Sequence, residues 1–247
     1  MSWAGRRQGL YIGTATLIVL VVLGGLGYIV FSKPATCSDL VQNGSERGVD
    51  CGGACTRMCM QDVDAPLSLW TRAFMVAPGV YTATAYLENR NPGSYVRSAA
   101  YTFKLFDDKN VLIAERSGVT SLSPGRFVPI VESNISTGNR IVSRTFFEFS
   151  EELAWDRGEA PEVTVSSPIF DLAERRVTVR VRNESGAPLR DLPITAVLYD
   201  ATNTAQGASS AKIARLERNA EEIVVFTWPT EFVSPPIRAE VLTQPIP

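Results

Sequence analysis

Two kinds of hydrophobic patterning divide this chain. Leu10–Phe31 reads LYIGTATLIVLVVLGGLGYIVF, apolar with no charged residue in it. From Asp64-Ala65-Pro66 onward, apolar positions come at every second residue, in short runs ended by turn residues. The first pattern predicts a helix about 33 Å long at roughly 1.5 Å per residue, enough for a hydrocarbon core of about 30 Å. A lone segment in lipid satisfies its backbone only as a helix. The second pattern predicts half-buried antiparallel strands.

The strands come in two series. In the first, Tyr81, Ala83, Ala85 and Leu87 fall on one face, with Thr82, Thr84 and Glu88 on the other, and Asn89–Gly93 turns the chain. Tyr101, Phe103 and Leu105 then alternate with Thr102 and Lys104 and close at Asp107–Asn110. Val111–Thr120, Arg126–Val131 and Arg144–Phe149 add further strands, and one helical turn is expected near Glu151–Trp155. In the second series, Val177, Val179 and Val181 alternate with Arg176, Thr178, Arg180 and Arg182 before the turn Asn183–Gly186. Ile194–Asp200, Glu222–Phe226 and Ile237–Leu242 follow. Leu105-Phe106-Asp107 corresponds to Leu198-Tyr199-Asp200, each following an asparagine, Asn89 or Asn183, by a nearly equal distance. The expectation is one all-β unit duplicated with a period near that of Asn89 and Asn183, ninety-four residues, and folded twice as an antiparallel sandwich. The domains expected are a tail at 1–9, a transmembrane helix at 10–31, a cysteine module at 35–62 and sandwiches at 66–157 and 160–247.

Sidedness follows from charge and cysteine. Arg6 and Arg7 precede the apolar run and Lys33 follows it, which favours a cytoplasmic N-terminus and an extracytoplasmic remainder. A cleaved signal peptide would have an apolar region of about 7–15 residues and an A-x-A-like site. Ser32–Thr36 offers no such site, so an uncleaved single-pass anchor is expected. The four cysteines, Cys37, Cys51, Cys55 and Cys59, are clustered and even in number, and read as two disulfides of unspecified pairing. A four-cysteine zinc site would show paired C-x-x-C knuckles, which are missing here. Between the cysteines, Asp39, Asn43, Glu46 and Asp50 offer oxygens that could ligate calcium, or serve as turn-forming side chains among the glycines.

Composition removes whole classes of chemistry. There is no histidine, which excludes Ser-His-Asp and Cys-His catalysis and histidine metal sites. Lys plus Arg number 24 against 26 Asp plus Glu, and the dispersed basic residues do not point to nucleic acid. Asp107-Asp108, Glu151-Glu152 and Glu221-Glu222 read as solvated charge at turns and strand ends rather than as the carboxylate pair of a glycosidase. Arg176, Arg180 and Arg182 form a stripe that could bind an anionic polymer or acidic partner, or be a solvent-facing strand. Trp70, Trp155 and Trp228 are expected in cores or at a domain junction. Asn43, Asn134 and Asn183 each begin an Asn-x-Ser glycosylation pattern, meaningful only in a glycosylating secretory pathway.

The run CSDLVQNGSERGVDCGGAC resembles short disulfide repeats of surface proteins that read C-x-D-G-x-x-N-G-x-E-x-x-x-D-C-G-G-x-C. Asp39, Asn43, Gly44, Glu46, Asp50, Gly52 and Gly53 match, and Leu40 stands where that pattern has glycine. The tandem units resemble FxLYD and late-embryogenesis-type immunoglobulin-like domains through Phe103-Lys104-Leu105-Phe106-Asp107 with Leu122–Gly125, and through Val197-Leu198-Tyr199-Asp200. The first copy has Phe106 in place of the motif's tyrosine, and the second lacks the Pro-Gly turn. The resemblance implies immunoglobulin-like sandwiches and an extracytoplasmic interaction or spacer role. The expectation is thus a mainly β, non-enzymatic, membrane-anchored scaffold of a bacterial-type envelope, contacting envelope proteins or an anionic envelope polymer, with no cofactor apart from the calcium alternative. An accessory subunit of a secretion, pilus or transport assembly ranks second. An anchored hydrolase of envelope polymers ranks last, since it would need a concave site with perturbed carboxylates.

Overall fold

The computed structural model describes residues 3–31 and 36–247. The side chains of Arg6, Arg7 and Lys33, which carry the orientation argument, and Ala35 at the start of the cysteine module lie outside the described residues. The chain divides into two compact units, Met1–Ala54 and Cys55–Pro247.

In the first unit, helix α1 (Trp3–Phe31) contains the apolar run. Gln8–Tyr28 has mean hydropathy 2.1 and is unburied by protein, long and apolar enough to cross a membrane. The polar side chains inside it return their bonds to the helix: the Thr16 hydroxyl donates to the Ile12 carbonyl at 2.8 Å and that of Thr14 to Leu10 at 3.0 Å. From Thr36 to Ala54 the described residues run through turns and bends, with one short bridge between Gly48 and Cys51. Leu40, Gly44, Asp50, Gly52 and Gly53 all take positive φ there.

The second unit is mainly β. Its strands are β1 (Leu67–Ala77), β2 (Val80–Glu88), β3 (Ser94–Phe106), β4 (Leu112–Leu122), β5 (Phe127–Ser136), β6 (Arg144–Phe149) and β7 (Trp155–Arg157), followed by β8 (Val163–Val165), β9 (Ile169–Asp171), β10 (Arg176–Asn183), β11 (Leu189–Tyr199), β12 (Ala205–Leu216), β13 (Glu221–Thr227) and β14 (Arg238–Thr243). Among the described residues all strand pairings are antiparallel. Sheet β1-β2-β5 faces sheet β4-β3-β6, with β7 also on β3; sheet β13-β10-β8, with β9 also on β10, faces sheet β12-β11-β14. The two antiparallel sandwiches therefore have the same strand order. Each core is filled by the inward alternate residues: Ala83, Ala85 and Leu87 against Phe103, Leu105 and Trp155 in one, Val177, Val179 and Val181 against Ile194, Ala196 and Leu198 in the other.

The expected helical turn near Glu151–Trp155 does not form. Trp155 instead pairs with Val96 as the first residue of β7, and its indole is buried in the first core. The largest apolar side chain of the segment thus gains more from extended pairing than a single exposed turn could supply. The segment after Cys55 belongs to the same sandwich. The Met58 N–H donates to the Trp155 carbonyl at 2.9 Å and the Arg157 N–H to Thr56 at 2.8 Å, while Arg57 and Asp156 form an ion pair of 2.9 Å. Asp64 and Asn91 exchange two 2.7 Å bonds, backbone N–H to side-chain oxygen and amide to carbonyl, tying the connection to the turn after β2.

Two buried residue types shape the turns of both copies. Asn89 donates its amide to the carbonyls of Ser94 and Ser123, and Asn183 to those of Ala187, Leu216 and Glu217. Asp107 accepts from the N–H groups of Lys109 and Val111, and Asp200 from those of Thr202 and Thr204. In each hairpin an asparagine three positions on, Asn110 or Asn203, takes the left-handed conformation that asparagine tolerates. Asp107 is consequently not the solvated charge expected of its acidic pair. It is buried and also bonds Arg140, while Asp108, Glu151, Glu152, Glu221 and Glu222 are exposed.

Candidate functional site

All four cysteines are disulfide-bonded and none is free. Around them the calcium candidates use their oxygens on the chain itself. Asp39 accepts from the Val41 N–H at 3.0 Å and from the Asn43 amide at 2.9 Å; Asp50 accepts from the N–H groups of Asp39 and Leu40; Glu46 accepts from those of Asn43 and Asp50. The Asn43 amide bond is the leading cause that holds the Asp39 carboxyl below its ordinary value. These are turn-closing contacts, and they leave only the Asn43 side-chain oxygen buried without a partner in this loop. Leu40 has φ of 62°, the left-handed region where the surface-protein pattern places glycine.

The arginine stripe lies on the outward face of β10, and each guanidinium has an acid beside it. Arg176 pairs with Asp171 at 2.8 Å, Arg182 with Glu184 at 3.0 Å and Arg180 with Glu221 at 3.8 Å. The Glu174 N–H bond, and after it the Arg176 guanidinium, hold the Asp171 carboxyl below its ordinary value. The stripe is thus a mixed-charge surface rather than an open cationic one. Of the three glycosylation patterns, Asn183 is fully buried and Asn43 partly so, whereas Asn134 is exposed at a bulge in β5.

The most built polar–apolar site is one that no motif marked: the junction of the two sandwiches. Tyr86, Val197, Tyr199, Ala205 and Ala208 form a third buried cluster with Trp70, Phe74 and Phe127 against it. Trp70 stacks on Tyr86 with ring centroids 5.3 Å apart, and the Arg238 guanidinium lies 4.1 Å over the Tyr199 ring. Burial, followed by the charge of Glu240, pushes the Tyr199 phenol up to about 12 and raises that of Tyr86 as well. Backbone carbonyls complete the joint: Gln244 donates to Pro129 at 2.6 Å and Arg72 to Ala205 at 3.3 Å. Trp70 sits at this junction, and Trp155 and Trp228 sit in the two cores. The available signal was the uncharged run from Tyr81 to Leu87, every residue of which is buried.

No protein-family model and no curated protein matches the chain. Among solved structures it is similar to red sea bream transglutaminase, at 13% identity and a TM-score of 0.23, over 72% of this chain and 31% of that one. It is also similar to the calcium-binding domain CBD12 of CALX1.1, at 13% identity and a TM-score of 0.18, over 59% of this chain and 68% of that one. The chain therefore spans under a third of the transglutaminase's length. At these values neither similarity carries an argument about activity or ligand.

Proposed function

We propose that this chain is a single-pass, membrane-anchored interaction or scaffold protein, non-enzymatic, whose cysteine module and paired sandwiches stand outside the cytoplasm of a bacterial-type envelope. The observation that carries the reading is the apolar junction through Tyr86, Val197 and Tyr199, which fixes two sandwiches as one body suited to display. The sidedness is supported by four disulfide-bonded cysteines, since such bonds persist in oxidising compartments, and by the length and composition of α1. The non-enzymatic reading is supported by the absence of histidine and by the use of Asp107 and Asp200 as hairpin anchors. The FxLYD-type resemblance supports an interaction role by analogy.

Crosslinking in intact cells, followed by identification of what the chain captures, tests the role. Defined envelope partners are expected, and recovery of lipid and copies of the chain alone would sink it. Protease added after outer-layer permeabilisation tests the sidedness. Cleavage of the sandwiches is expected, and full protection would overturn it.

A further inference from the structure

Along one side of the sandwich junction a cleft of about 740 Å³ opens, within the size range of small-ligand pockets. Parts of β1, β6 and β12 line it, and each is an end strand of its sheet. The Met75 carbonyl accepts from the Thr230 hydroxyl at 3.1 Å, so at Met75 the backbone of β1 aims away from β2 and into the cleft. Antiparallel pairing alternates, and Thr71 and Ala73 accordingly aim their N–H and C=O groups the same way. Phe74 and Phe232 form a partly buried apolar wall, and Met75, Phe146 and Val233 are 54%, 53% and 101% exposed around it. The rim is cationic. Arg72 and Arg144 bond neutral acceptors, the Ala205 carbonyl and the Asn110 side chain, with Glu231 as the acid of the lining.

We propose that this cleft takes an extended peptide segment of a partner protein, apolar at alternate positions and carrying a carboxylate, which adds as a strand to the open edge of β1. Strand addition draws affinity from main-chain bonds and selectivity from the places that receive alternate side chains. Thr71 and Ala73 supply the first, the aromatic wall the second, and the two arginines receive the carboxylate. An open edge bordered by exposed apolar side chains is otherwise an aggregation hazard, which a resident strand removes. The proposal rests on the interaction reading above and gives it a site and a ligand class.

The probe comes from a phage-displayed random heptapeptide library, panned on the full chain in lipid nanodiscs with empty nanodiscs as counter-selection. The enriched peptide is then labelled and its binding followed by fluorescence polarisation. Enrichment of alternating apolar peptides containing Asp or Glu is expected. Arg144→Glu should weaken binding about tenfold by reversing a rim charge. Ala73→Pro should do the same by deleting an outward N–H on an edge strand, where proline is tolerated. Thermal unfolding shows which variants are folded, and if Ala73→Pro is not, Arg144→Glu decides. Absence of enrichment, or affinity within about twofold of wild type in every folded variant, overturns the proposal. In-cell crosslinks unchanged by both variants would place partner binding elsewhere, removing the groove while leaving the interaction reading intact.

Discussion

β2 and β10 occupy the same place in the two sandwiches and meet different neighbours. Thr82, Thr84, Tyr86 and Glu88 precede Arg176, Thr178, Arg180 and Arg182 by ninety-four positions. In β2 the outward Thr82, Thr84 and Tyr86 are all buried, Tyr86 in the cluster it shares with Val197 and Tyr199 of the second sandwich. In β10 the same face meets water, with the arginines paired to acids beside Ile223 and Val225, which are 60% and 48% exposed. The opposite faces differ in the same way. Val197 is fully buried at the junction, while its counterpart Lys104 pairs with Glu148 at 2.6 Å on an open face. Alternation in a sequence thus reports how many faces a strand buries, and that number is set by its neighbours as much as by its own sheet. Charged pairs lie on both open faces, the placement that polar residues have on the outer faces of terminal units in repeat proteins.

The comparison breaks most visibly at Tyr86. Tyr86→Arg writes the second copy's residue into the first, removes the Trp70 stack and forces a guanidinium into the buried cluster, where the neighbouring acid Glu240 is already held by Arg238, a cost of about 3–5 kcal/mol in urea unfolding. Small-angle scattering should show the sandwiches separating. The converse pair, Arg180→Tyr with Lys104→Val, should barely change stability but cause self-association on size-exclusion chromatography with light scattering; a persistent monomer would mean that charge does not limit stacking. The next effect is at the turn asparagines. Asn89→Ala and Asn183→Ala should each cost about 2–3 kcal/mol by stranding buried carbonyls, and a neutral result in one copy would end their equivalence.

Acid sharpens the comparison further. Backbone N–H bonds, from Val111 to Asp107 and from Thr204 to Asp200, are the largest cause holding each carboxyl below 3.8. A lowered folded-state value means that the stability these groups contribute is present above 3.8 and is lost as pH falls below it. Asp107→Asn and Asp200→Asn should therefore each flatten the acid side of a melting-temperature profile, to a similar degree. The smallest effect is expected at the exposed pair Arg176–Asp171, where Arg176→Ser should cost less than about 1 kcal/mol by thermal unfolding.

Much of this architecture was legible from the chain. The uncharged Leu10–Phe31 and the period-two runs name their elements because membrane length and sheet pleating each impose one spacing. Trp70, expected in a core or at a domain junction, lies at the joint. The joint's β2 face was not legible, because Thr82 and Thr84 look like solvent-facing strand residues and only the lack of charge from Tyr81 to Leu87 hints otherwise. Asp107 was misread for a different reason. An acidic pair reads as solvated until the left-handed Asn110 folds the hairpin back and brings two N–H groups onto one carboxylate. The cleft along β1 was invisible since its walls come from strands far apart in the chain.

Synthesis runs from β1 to β14, and the joint needs both ends of that interval. Tyr86, Trp70 and Phe127 leave the biosynthetic machinery well before Val197, Leu242 and the Gln244 amide that bonds Pro129. A nascent first sandwich can complete its own core while its aromatic outer face is still bare, a state prone to mispairing with other chains. The waiting time before the second sandwich arrives is therefore a window of vulnerability, and slowing elongation past residue 160 should lengthen it and lower the yield of soluble protein.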